Sequence, residues 1–174
     1  MAEDKQYIAK ITLAGALGQR PAPEVEHERQ VAIYDLTELN SFKPLRLVNS
    51  AQESGPYHLE LSVIENRLQF HIKSLEQEDL GLVILSLTPF KRAIRDYRQI
   101  CLSYYDAIRT AQPSRIEAID MARRGIHDQA AELIITRLEG KIELDLMTAR
   151  RFFTLLSTLF MKSDNDMRGI GGGA

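Results

Sequence analysis

Leu85-Ser86-Leu87-Thr88-Pro89-Phe90, and further on Ala111-Gln112-Pro113-Ser114, bracket the part of the chain whose reading decides the fold. Proline at a first helical position forfeits no hydrogen bond, and a neighbouring Thr or Ser hydroxyl accepts from an otherwise orphaned N–H. Thr88-Pro89 thus predicts a helix start. Phe90, Ile94, Tyr97, Cys101, Tyr104 and Ile108 then recur at helical spacing. Ser114 with Glu117 has the capping-box pattern for a second helix, with a stripe of Ile119, Ala122, Ile126, Ala130, Leu133 and Leu138 and a stop at Gly140. Asp145 is placed to cap a last helix that turns Phe152, Leu155, Leu156, Leu159 and Phe160 inward.

Upstream the period changes from helical to alternating. Tyr57, Leu59, Leu61 and Val63 alternate with His58, Glu60 and Ser62, and Leu68, Phe70 and Ile72 alternate again after a turn at Glu65-Asn66. Leu82 to Leu85 is a third apolar strand. Three sequential strands with short links predict an antiparallel meander. Tyr7 to Leu13 is a further strand near the N-terminus. Between them, Val25, Ala32, Leu36 and Leu39, with Ile33 beside them, trace a helix that begins near Glu24 and ends at Asn40-Ser41. The fold class is α+β: an antiparallel β-meander, with an N-terminal strand, packed against about four α-helices. One domain is expected over residues 1–162, with a surface loop at 47–56 and a disordered glycine-rich tail at 163–174.

Bulk properties narrow the class. A chain of 174 residues buries roughly 70% of its unfolded surface as one domain. No apolar run approaches the ~20 residues of a membrane span, and no secretory leader is evident, so a cytoplasmic protein without membrane association is expected. The single cysteine, Cys101, excludes an internal disulfide and a multi-cysteine zinc site. Net charge is −2, unevenly spread: residues 1–87 hold 8 Lys/Arg against 13 Asp/Glu, and residues 88–174 hold 14 against 11. The halves attract each other, or the helical half presents a basic face to an anionic partner. A near-neutral total makes nucleic acid an unfavoured partner.

Two charged groups stand out as candidate binding residues. Arg92, Arg95 and Arg98, with Asp96, recur at helical spacing and form a face that is either solvated or able to grip phosphate or carboxylate. Asp120, Arg123, Arg124 and His127 are i,i+3 and i,i+4 neighbours. They make either a local ion-pair network or the lining of an anion pocket in which His127 changes charge near neutral pH. The Tyr97, Cys101, Tyr104 and Tyr105 group reads as packing. Glycine-rich phosphate loops, a zincin motif and a clustered set of metal ligands are all missing, so neither cofactor nor metal is expected.

Glu26-His27-Glu28-Arg29, Gly55-Pro56-Tyr57, Glu65-Asn66-Arg67-Leu68 and the run Ile116-Glu-Ala-Ile-Asp-Met-Ala-Arg-Arg-Gly-Ile-His127 carry a resemblance over most of residues 6–160. The chain resembles the uncharacterised protein family 0262 of alphaproteobacteria, which implies a small bacterial protein and supplies no catalytic residues or cofactor to carry over. It departs from that pattern after Leu159, where Phe160 to Ala174 replaces a short Trp-containing end.

The residues support three readings in order. First comes a non-enzymatic binding or regulatory protein that acts through a protein partner, as a homodimer in one version, with the arginine faces as the contact. Second is a small-anion binder or enzyme using Arg95, Arg123, Arg124 and His127. RNA binding is third, because the tyrosines are expected in the core rather than free for stacking.

Overall fold

The computed structural model describes residues 5–18, 21–47 and 55–160. Most of the expected loop at 47–56, and all of the tail at 163–174, lie outside them.

The four-stranded sheet is built from β1 (Ile8–Leu13), β3 (Tyr57–Ile64), β4 (Arg67–Ser74) and β5 (Asp79–Ser86), in the order β1-β3-β4-β5. The meander is antiparallel, Leu61 opposite Phe70 and Phe70 opposite Val83, with one register shift at Ile72-Lys73 against β5. Glu65 and Asn66, both at positive φ (52° and 62°), make the two-residue turn whose twist matches its strands. β1 instead pairs in parallel with β3, Ile11 beside Leu59 and Leu13 beside Leu61. A parallel neighbour requires a long crossover, which is the work of α1 (Pro23–Glu38). A second ladder, unforeseen from the sequence, pairs β2 (Lys43–Pro44) with β6 (Ile142–Glu143) and ties the α1–β3 connection to the one between the last two helices.

One sheet face is apolar and buried; the other is mixed, with Leu82 and Ile84 of β5 exposed on it. Ile11, Leu59, Leu61, Leu68, Phe70, Ile72 and Leu85 are buried inward, while Glu60, His71 and Lys73 share the other face, with Glu60 and Lys73 paired at 3.3 Å. The helices α1, α2 (Lys91–Thr110), α3 (Pro113–Arg137) and α4 (Leu146–Leu159) form the covering layer, so the architecture is α+β.

α4 is the central helix. Phe152 faces the sheet, 5.8 Å from the Phe70 ring, and Phe153 faces α2 and α3. Burial extends to Thr148, Ser157 and Thr158, whose hydroxyls bond to backbone. Asp145 caps α4 as expected, its carboxylate accepting from the Thr148 N–H at 2.7 Å.

Other helix starts differ from their sequence signals. Thr88-Pro89-Phe90 forms a 3-10 turn ahead of α2, and the Thr88 hydroxyl accepts from the Asn66 amide at 2.9 Å instead of capping. α3 begins at Pro113, which puts Ser114 inside the first turn, so the capping box does not form. Leu39 and Ile108 are exposed rather than inward, as is Ala122. Leu39 turns out because α1 ends one residue earlier. There Asn40 spans the joint to β1, accepting from the Ile8 N–H (2.7 Å) and donating to the Ile8 and Leu36 carbonyls.

Arg29 supplies the least expected core contact. It is 5% exposed and donates to the carbonyls of Thr158, Leu159 and Leu17 at 3.3–3.5 Å, so the negative end of the α4 dipole holds its charge. Burial pulls its guanidinium below its ordinary value and the nearby Glu26 charge offsets this. Arg29→Met fills the volume but orphans buried carbonyls, and we expect a loss of about 2 kcal/mol in urea unfolding. Neutral behaviour would show that those carbonyls find other donors.

Candidate functional site

α4 packs on α1 and α3, while α2 leans chiefly on α3. α1 and α2 therefore stand apart, and a cleft of about 350 Å³ opens between them with α4 as its floor. α1 contributes His27, Glu28, Val31, Ala32 and Asp35; α2 contributes Tyr97, Arg98, Cys101, Leu102 and Tyr105; α4 contributes Thr154, Ser157 and Thr158. The spacings follow from the helix period, since residues 28, 31, 32 and 35 share one side of α1 and residues 97, 98, 101, 102 and 105 share one side of α2.

The cleft is apolar along its walls with a few polar groups at defined places. Arg98 reaches across to α4, donating from Nη2 to the Ser157 carbonyl at 2.6 Å. Burial raises the Glu28 carboxyl above the ordinary carboxylate range, and the charges of His27 and Arg98 only partly counter it. Burial is also the first cause of the shifts at Tyr97, pushed up to about 12, and at the Cys101 thiol. Cys101 is thus an unreactive thiol near neutral pH rather than a nucleophile.

Tyr97 is a shared wall. Behind it His127 stacks on the ring at 5.2 Å, and Phe153 meets it edge-on at 5.3 Å. His127 Nε2 lies 2.8 Å from the Arg150 carbonyl and 3.0 Å from the Thr154 hydroxyl oxygen, so that nitrogen carries the proton. Burial lowers the His127 pKa from 6.5, outweighing the hydrogen bond to Arg150. An unfolded chain therefore takes up a proton at His127 where the folded chain resists it. This contribution to stability is full above pH 6.5 and is lost as pH falls toward the folded value. Unfolding free energies across that window should decline less steeply for His127→Gln than for the parent; identical slopes would place the titration elsewhere.

Of the eight binding residues anticipated from sequence, Arg98 alone borders the cleft. Arg92 and Arg95 are exposed on α2 and lie 3.7 and 3.9 Å from Asp96. Asp120 joins Arg123 (2.6 Å) and Arg124 (3.0 Å) on α3, and Arg123 lies over the Tyr104 ring at 5.1 Å. Those contacts and the neighbouring Arg123 and Arg124 charges hold Asp120 below its ordinary value. His127 turns inward, away from this network. Arg95, the Arg123–Arg124 pair on Asp120, and His127 thus engage different surroundings. Glu28, Asp35 and Tyr105, which do border the cleft, are not among the residues anticipated from sequence; the signal was their shared face with Val31 and Leu102. Tyr34 and Tyr105 are exposed, 63% and 58%, so the tyrosines are not all in the core.

No group of three or more His, Cys, Asp or Glu side chains placed to hold a metal ion occurs among the described residues. No helix among them is long and apolar enough to cross a membrane.

Residues 5–162 match the uncharacterised protein family UPF0262. The chain belongs to that family. Among curated UPF0262 proteins, one from Erythrobacter litoralis is 57% identical over 139 residues, covering 80% of this chain and 86% of the relative. One from Rhizobium etli is 49% identical over 162 residues, covering 93% and 99%. One from Brucella anthropi is 54% identical over 152 residues, covering 87% and 92%. No solved structure matches this UPF0262 chain. Every helix bordering the cleft lies inside the matched span, so the site belongs to the UPF0262 domain and not to the residues beyond it.

Proposed function

We propose that this UPF0262 protein is a binding protein whose ligand is a small amphipathic molecule held in the cleft between α1 and α2. The observation that carries this reading is the cleft itself. Its volume, about 350 Å³, lies within the range of small-molecule sites, and its apolar and aromatic walls carry a few fixed polar groups, the usual composition of such a site. Cys101, its thiol pKa raised by burial, and the inward His127 do not form a nucleophile–base pair in the cleft, which favours binding over catalysis.

Native mass spectrometry of the full chain gently purified from its source cells tests this. A discrete added mass, lost when Leu102→Trp fills the cleft, is the expected result. Bare protein, with no chemical-shift change at residues 27–35 and 97–105 across a fragment library, would remove the reading.

A second reading keeps a protein partner, or a second copy of this chain, on the α1/α2 surface. Val31 and Tyr105 at the cleft, and Tyr34 and Ile108 on the same two helices, are exposed, and Arg92 and Arg95 are exposed toward the start of α2, which suits an apolar contact with a basic end. Sedimentation reports a homodimer, and Arg95→Glu should weaken capture of an acidic partner while leaving the melting curve unchanged.

A further inference from the structure

Glu28 and Asp35 lie two turns apart on the face of α1 that borders the cleft. Glu28 is the deeper of the two, and no ion pair or hydrogen bond involves its carboxylate among the described residues. The nearest cationic side chain on the opposite wall, Arg98, is turned onto the Ser157 carbonyl of α4. A carboxylate taken partly out of water without a bonded counter-charge gains strongly from a cation that approaches it.

The opposite wall is suited to the rest of such a ligand. Tyr97 and Tyr105 present aromatic rings, whose faces attract cations, and Leu102 presents aliphatic surface, with Val31 adding more from the α1 side. A ligand bearing a carboxylate would meet the Glu28 and Asp35 carboxylates, while the one guanidinium on the wall, Arg98, is already bonded to the Ser157 carbonyl. A neutral ligand would desolvate Glu28 further and return nothing.

We propose that the cleft takes a small organic cation: a primary or secondary ammonium donates to the Glu28 carboxylate, and its apolar body lies between Val31 and Leu102 against the Tyr97 and Tyr105 rings. This rests on the cleft being a ligand site, and it assigns the charge of that ligand.

The test uses the full chain and three probes of similar shape: 2-phenylethylamine, 2-phenylethanol and 3-phenylpropionate. Each is titrated near pH 7.5 while backbone chemical shifts are followed. The amine is expected to shift residues 27–35 and 97–105 and to bind about tenfold more tightly than either of the others, as a charge-assisted hydrogen bond implies. Glu28→Gln, whose fold is checked by its melting curve, should erase that preference.

Equal or tighter binding of the alcohol or the propionate in the cleft overturns the cation assignment and leaves the cleft a ligand site. A preference for the amine that survives Glu28→Gln overturns Glu28 as its seat. Absence of cleft shifts with all three probes overturns the ligand-site reading together with this one.

Discussion

Phe153→Ala is expected to lower the free energy of unfolding by about 3–5 kcal/mol, the usual range for truncating a buried phenylalanine. Phe153 is 0% exposed, and its ring meets both the Tyr97 ring (5.3 Å) and the His127 ring (5.8 Å). Removing it leaves a cavity among three helices, and His127 is held in place by the Arg150 carbonyl and the Thr154 hydroxyl, so little collapse can refill it. For a chain of this length the melting temperature should fall by about 10 °C. Urea unfolding checks this through a lower midpoint at unchanged slope. The consequence for the cleft is separate, because Tyr97 is both the neighbour of Phe153 and a wall of the site. Binding of 2-phenylethylamine should weaken along with stability, whereas Phe153→Leu should keep most of both. A loss below about 1 kcal/mol would mean that Tyr97 and His127 close over the gap.

Gly55→Ala is expected to cost a comparable amount, about 3 kcal/mol or more, by a different route. Gly55 has φ +59°, and a Cβ there would stand 2.1 Å from the Lys5 carbonyl oxygen and 2.9 Å from the Tyr57 ring. The backbone conformation alone accounts for about 1 kcal/mol. The contacts account for the rest, since neither neighbour is free to move. Tyr57 is 0% exposed, its N–H donates to the Tyr7 carbonyl at 3.0 Å, and its hydroxyl donates to the Gln6 side chain at 3.0 Å. Pushing Lys5 away would peel the chain entering β1 from the start of β3.

Gly140→Ala is the internal control. Gly140 also has positive φ (+80°), but nothing lies within 4 Å of its Cβ position, so only the backbone cost of about 1 kcal/mol should appear. Thermal melts of the two variants side by side would show a gap of several degrees. Equal melting points would mean that the Lys5 segment yields at little cost.

Patterns confined to one element are legible in the amino-acid sequence. The alternation of Tyr57 to Ile72 places the meander, because a two-residue period has only one face to bury. Asp145 reads as a cap because the cap is a bond to a backbone N–H three residues away. Where tertiary contacts compete with a local signal, the local signal loses. Thr88 is bonded across to the β3–β4 turn, and Ala122 lies on the outer side of α3 although its spacing suits the stripe. Arg29 is illegible for the same reason: two of its three carbonyl partners lie about 130 residues away, and no spacing in the sequence points to them.

The candidate site divides along that line. The sequence by itself determined which residues share a face of α1 and which share a face of α2, since 3.6 residues per turn settles this for any helix. It also determined the family, through the residues that run from strand to last helix. That α1 and α2 flank one buried helix without closing on each other was decided only by the tertiary structure. α4 packs on α1 and α3, and α2 leans on α3, so the space between α1 and α2 is what helix packing leaves unfilled. The arginines most visible in the sequence are bonded to their own helix neighbours, and half-buried Glu28, inconspicuous among the charges of α1, faces the cleft.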